Sequence, residues 1–318
     1  MYAQQVDPYP RISQEAFLAR LPFFAVDPAI PLEARVVRVW DGEGTVREKF
    51  VFRGAQGFLV PGYLEWPKAG AGIHPFESPI EGGPEDVGPP VGGLENGGAS
   101  AGAPLVLLLH GWSGSKEMWW EDENIISGGY LRKALLAEGY AVLALDAATH
   151  GERSNEIDYQ HVNPYEDPAA PERKNYFSFA EITTQTVKDY RRALDYVAGR
   201  KEIDSSRIGL SGYSMGGMDA FVLLSVEPRI KAAVACVPPL AGDSFGATSP
   251  IDYSWGIGQV PFLLLMGRQD DMYDAGTVEA SFEQYLKGDK TKLIWYDQGH
   301  KLGPVYVPDA VGWLKEHL

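Results

Sequence analysis

The stretch Arg207-Ile208-Gly209-Leu210-Ser211-Gly212-Tyr213-Ser214-Met215-Gly216-Gly217 reads as a short strand that runs without a linker into Gly-x-Ser-x-Gly, and a helix is expected over Met218–Leu224. A strand that turns directly into a helix holds its central residue in a sharp, strained bend. A Cβ on either flank would collide with neighbouring elements there, hence the glycines at 212 and 216. The bend lifts the Ser214 hydroxyl above the sheet and sets it at a helix N-terminus, where unpaired backbone amides favour developing negative charge. Without its context the motif is only a glycine-rich packing turn; with the strand before it and the helix after it, it points to a nucleophile.

Outward from this turn, from Pro104 onward, continuous apolar runs alternate with helical stretches. The runs are Leu105–Leu109, Ala141–Leu145, Ala232–Ala235, Phe262–Met266 and Leu293–Tyr296. Strands that are apolar on both faces belong to a mostly parallel sheet covered by helices on both sides, so the expected class is α/β. One helix is predicted over Gly129–Glu138. Another covers Thr184–Ala198, where Val187, Tyr190, Leu194 and Val197 recur three and four apart and Gly199 stops it. Upstream, Ala34–Trp40, Val46–Arg53 and Gly57–Trp66 are separated by glycine-rich turns and predict an antiparallel β extension within residues 1–68. Residues 69–103 are rich in Gly, Pro and Glu and poor in apolar side chains, which predicts a surface loop. The core is expected over 104–318, with 149–180 as a small cap.

Apolar residues at 45% and charged residues at 22% are ordinary for a globular chain of 318 residues. The formal charge of −15 leaves no basic stripe for a phosphate backbone or an anionic lipid surface, so neither nucleic acid nor membrane is an expected partner. A single cysteine, Cys236, makes no internal disulfide and reads as a small buried side chain. No apolar run has transmembrane length, and Met1-Tyr2-Ala3-Gln4-Gln5 lacks the pattern of a targeting segment. The default expectation is cytoplasmic; a secreted chain already trimmed would read the same way. Oligomeric state is left open.

A serine hydroxyl needs a base within hydrogen-bond reach and a third group that fixes the tautomer of that base. Downstream of Ser214 the histidines are His300, in the loop after a predicted strand, and His317, the penultimate residue in a terminal helix. His300 is the candidate base. Gly267-Arg268-Gln269-Asp270-Asp271 leaves the carboxyl end of the preceding strand and offers two adjacent acids. Asp270 is preferred, with Asp271 as the alternative and Asp243 a weaker third. An oxyanion hole is expected from the backbone N–H of Met215 and that of Trp112, in the loop Leu109-His110-Gly111-Trp112-Ser113-Gly114. His110 is read as ordering that loop. Trp119, Trp120, Tyr176 and Phe177 are candidate pocket residues, alongside Tyr159, His161, Tyr165 and Phe179. His74 and His161 have no spaced partners, so no metal is expected.

His110-Gly111-Trp112, Gly212-Tyr213-Ser214-Met215-Gly216-Gly217, Gly267-Arg268-Gln269-Asp270 and Gly299-His300 together resemble the α/β-hydrolase superfamily, in particular its dienelactone-hydrolase-like and acetyl-esterase-like branch. The resemblance runs from Pro104 to the C-terminus. It implies an α/β-hydrolase fold and a cofactor-free serine esterase that acts on a small-molecule ester, with short acyl chains, through Ser214, His300 and Asp270. Dienelactone hydrolases carry a cysteine nucleophile where this chain has Ser214, and the region before the core is too short for an oligopeptidase propeller. An aminopeptidase or amidase on the same triad, and a non-catalytic binding protein on the same scaffold, remain as alternatives.

Overall fold

The computed structural model describes residues 6–68, 102–156 and 176–318, apart from the side chains of 176–178 and of 243. The loop expected over 69–103, bar its last two residues, and most of the cap expected over 149–180 lie outside the described residues.

Nine strands form one sheet among the described residues: β1 (Arg35–Asp41), β2 (Thr45–Arg53), β3 (Leu59–Pro67), β4 (Ala103–Leu109), β5 (Ala141–Leu145), β6 (Ile203–Tyr213), β7 (Ile230–Cys236), β8 (Phe262–Gly267) and β9 (Thr291–Tyr296). Their spatial order is β1-β2-β3-β5-β4-β6-β7-β8-β9. The first three form an antiparallel extension that joins the core where β3 pairs antiparallel with β5. From β5 to β9 every neighbour is parallel. The expected α/β architecture and its N-terminal β extension are both present.

The parallel strands are apolar throughout because each sends alternate residues into one of two cores. Leu105, Leu107 and Leu109 of β4 face one core, together with Leu143 of β5 and Phe262, Leu264 and Met266 of β8. Val106 and Leu108, with Val142, Val234, Leu263 and Leu265, face the other. The first core is covered by α3 (Tyr176–Val197), through Val187, Tyr190 and Leu194, by α4 (Met215–Val226) and by α5 (Ala275–Ser281). The second is covered by α2 (Gly128–Ala137) and α6 (Val307–His317), through Leu131, Leu135, Ala310 and Leu314.

Two elements depart from the sequence reading. Helix α3 begins at Tyr176, eight residues before the start expected from the sequence. Upstream of β1, helix α1 (Gln14–Arg20), capped by the Ser13 hydroxyl, had no counterpart in the expectation. At seven residues it is too short to declare a period. It docks by tertiary contact: Phe17, and Phe24 of the turn that follows, pack edge-on against Tyr253 at 5.8 and 5.9 Å, and Arg20 pairs with Asp252 at 2.7 Å.

Candidate active site

Ser214 links β6 to α4 with φ +54° and ψ −115°, a positive-φ conformation that a residue with a side chain adopts only when its surroundings force it. Two surroundings do so. A Cβ on Gly212 would collide with the carbonyl of Gly216, and one on Gly216 would collide with the carbonyl of Leu109 at the end of β4. The bend is fastened further by the Ser214 N–H, which donates to the Cys236 carbonyl at 2.8 Å, and by the Met218 N–H, which donates to the Ser214 carbonyl at 2.9 Å.

His300 lies in the loop after β9. Its Nε2 is 2.8 Å from Ser214 Oγ and its Nδ1 is 2.7 Å from Asp270 Oδ2. With Nδ1–H donating to the carboxylate, Nε2 is left to accept from the serine hydroxyl. Asp270 follows β8 and is buried; its Oδ1 accepts from the Met272 N–H at 3.0 Å, so both oxygens are fixed. Asp271 is exposed, and the carboxylate that meets His300 is that of Asp270. His317 stands at the end of α6 against Trp313, and the Asp243 side chain lies outside the described residues.

Met215 is the first residue of α4, where an amide has no carbonyl one turn back to bond. The loop after β4 approaches Ser214 closely at Gly111, where a Cβ would stand 3.4 Å from Ser214 Cβ. Trp112 follows and lines the same cavity as Ser214 and Met215. His110 is buried; its Nδ1–H donates to the Gly111 carbonyl at 2.8 Å and its Nε2 accepts from the Ala147 N–H at 3.0 Å. Burial pushes its pKa down, so the ring is a neutral brace for the loop.

Tyr213 is a site residue that the sequence reading passed over. Its hydroxyl donates to the His300 carbonyl at 2.9 Å and accepts from the Leu302 N–H at 2.9 Å, clamping the loop that bears His300 to the Ser214 turn. The available signal was its place, one residue before Ser214.

A cavity of about 220 Å³ opens at Ser214. Among its lining residues are Trp112, Phe179, Met218, Phe245, Met272 and Ile126. Two expected wall residues are elsewhere. Trp119 is fully buried in the core around α2, and Trp120 donates its indole N–H to Glu65 at 2.7 Å on the side of the β extension. The short turn Lys116–Trp120 directs both rings away from the cavity. The side chains of Tyr176 and Phe177, and residues 159, 161 and 165, lie outside the described residues. Phe179 does line the cavity, stacked on Trp112 with centroids 4.3 Å apart.

A family model described as alpha/beta hydrolase fold matches residues 104–250. An acetyl xylan esterase from Paenibacillus sp. R4 superposes with a TM-score of 0.65 over 98% of this chain and 97% of that one, at 19% identity. The chain has the α/β-hydrolase fold. In sequence, this hydrolase-fold chain is similar to a protein of Methylorubrum extorquens provisionally named a carboxymethylenebutenolidase, 27% identical over 128 residues. It is also similar to a provisionally named esterase of Bacillus subtilis, 26% identical over 132 residues. These stretches cover 39% and 42% of this chain and 44% and 43% of the relatives, so the chain spans under half the length of either. Within the hydrolase fold the site occupies the carboxyl edge where the chain reverses direction across the sheet, β5 and β6 flanking β4 on opposite sides.

Proposed function

We propose that the chain is a serine hydrolase that cleaves carboxylic esters through an acyl-enzyme on Ser214. The observation that carries the reading is the continuous array of Asp270, His300 and Ser214, joined at 2.7 and 2.8 Å, on a serine held at positive φ at the head of a helix. In the first half-reaction Ser214 Oγ bonds to the ester carbonyl carbon while His300 Nε2 takes the hydroxyl proton. The oxyanion sits against the N–H groups of Met215 and Trp112. As the carbon–oxygen bond to the alcohol breaks, the proton passes from His300 to the leaving oxygen. Water then attacks the acyl-enzyme with His300 as base, releasing the acid and restoring Ser214. Asp270 holds the imidazole and stabilises its protonated form.

An ester is favoured over a peptide N-terminus because, among the described residues, those lining the cavity include no carboxylate to receive an ammonium group. Ser214→Ala is expected to lower turnover of 4-nitrophenyl esters by more than about 10⁴-fold and to abolish labelling by a fluorophosphonate. Asp270→Asn lowers kcat by about 10⁴-fold, while Asp271→Asn stays near wild type. Retained labelling in Ser214→Ala removes the proposal, and faster turnover of aminoacyl amides than of esters converts it to an amidase.

A further inference from the structure

The cavity lining falls into two groups, distinguishable by what each is bonded to. In one, Met272 is tied through its N–H to Asp270, and Ile126 offers its carbonyl to the Tyr306 hydroxyl, whose ring packs against Tyr213. That group connects to the residues around His300. In the other, Phe179, Met218 and Phe245 form a buried apolar cluster with Trp112 against it. Phe179 stacks on Trp112 with an interplanar angle of 21°, and Phe245 meets Phe179 edge-on at 5.4 Å.

Because His300 must hand its proton to the departing alcohol, the alcohol leaves toward the base and the acyl group points the other way, into the aromatic cluster. Resting on the serine-hydrolase reading, we propose that the box formed by Trp112, Phe179, Met218 and Phe245 is the acyl subsite, and that it selects an apolar acyl group of ring size, such as phenylacetyl, over acetyl.

Size and chemistry both carry this. An apolar void of about 150 Å³ inside a protein is enough to bind benzene, and the whole cavity here, the side toward His300 included, measures about 220 Å³. An acetyl group would leave the cavity-side faces of Trp112, Phe179 and Phe245 largely untouched by substrate. A ring offers the stacked or edge-on contacts that such faces prefer, and Met218 adapts its thioether to the ring edge. Among the described residues, none that lines the cavity carries an ammonium, guanidinium or carboxylate group, so nothing in the box recognises a charged acyl chain.

The test is kcat/KM for 4-nitrophenyl phenylacetate, acetate and dodecanoate, each divided by the hydroxide-catalysed rate of the same ester to remove intrinsic reactivity. A fluorophosphonate titration counts competent Ser214 in every sample. Phenylacetate is expected to exceed both acetate and dodecanoate by about tenfold or more, the discrimination that filling or leaving empty a few apolar atoms provides. Phe245→Ala, corrected by its own titration, is expected to lower the phenylacetate-to-acetate ratio by about tenfold. A wild-type ratio below tenfold with Ser214 fully labelled overturns the acyl-box assignment and leaves the hydrolase reading intact. So does an unchanged ratio in Phe245→Ala. Absence of both labelling and ester turnover removes the hydrolase reading itself, and the subsite with it.

Discussion

Two buried regions lie at the carboxyl ends of β4 and β5, and opposite chemistry fills them. Around Trp112 the packing among the described residues is mainly aromatic and thioether. Around Lys116 it is ionic: Lys116 pairs with Asp146 at 2.7 Å and Arg153 with Asp189 at 2.9 Å, with side-chain exposures of 1% or less. Charges removed from water must be matched with directional partners, so the ionic side is a set of fixed joints. It ties the loop after β4 to the loop after β5, to α3 through Asp189, and to the β extension through the Ala55 N–H that Asp189 accepts. Apolar contacts have no required partner, so the aromatic side can leave space beside Ser214 without stranding a polar group. Rigid joints and vacant volume are thereby kept apart.

The ionic side is where a single change is expected to cost most. Asp146→Ala leaves the Lys116 ammonium and the N–H groups of Lys116 and Glu152 without the carboxylate that received them. Lys116 keeps Glu152 at 2.5 Å, so the cost is expected toward the lower end of the about 3–5 kcal/mol that breaking a buried pair carries, read as a lower denaturant midpoint at unchanged m-value. Combining Lys116→Met with Asp146→Leu would put an apolar pair in place of the ionic one but would not restore the amide acceptors, so the double variant is expected to recover only part of the loss. Full recovery would mean that the joints are dispensable and the contrast between the regions is one of composition alone.

Asp219 is the exception on the apolar side. It lies on α4 one residue after Met218, wholly buried beside Thr183, and burial pushes its pKa up to about 7 from 3.8. The folded state therefore holds a proton that the unfolded state loses from about pH 4 upward, and stability falls as pH rises from about 4 to about 7. The cumulative effect reaches roughly 4 kcal/mol at the upper end. Asp219→Asn keeps the shape of the protonated acid without ionising. It is expected to unfold at the wild-type midpoint near pH 4 and at a clearly higher midpoint near pH 8; parallel pH profiles for the two proteins would refute the buried-proton account.

What the sequence disclosed follows the same division. Strands β4 to β9, the turn at Ser214, and the loops bearing Asp270 and His300 were legible because each announces itself locally, by an apolar run or by glycines where a Cβ cannot fit. The choice of Asp270 over Asp271 rested on spacing, and in the fold the two neighbours differ in burial and partner. The cavity wall was less legible. An aromatic residue in sequence carries no label for the face it will meet, so Trp119 and Trp120 read as cavity residues although one fills a core and the other bonds Glu65. Phe245, from a loop beyond β7, reaches the cavity only through tertiary packing. The ionic joints were equally hidden, since their partners lie up to 134 residues apart along the chain.

Tyr213 is a point at which a fixed joint touches the proposed triad, and its loss should be the mildest of these effects on stability. Tyr213→Phe retains the ring against Tyr306 but removes the hydroxyl that bridges the His300 carbonyl and the Leu302 N–H. One unsatisfied pair of this kind costs about 1–3 kcal/mol. The informative readout is kinetic. If the hydroxyl positions His300, a small displacement of the imidazole weakens proton transfer in the transition state while leaving the cavity unaltered. The expectation is a fall in kcat of about tenfold with KM nearly constant. A stability loss with kcat unchanged would make Tyr213 a packing residue, and the base would then owe its placement to Asp270 and the β9 loop alone.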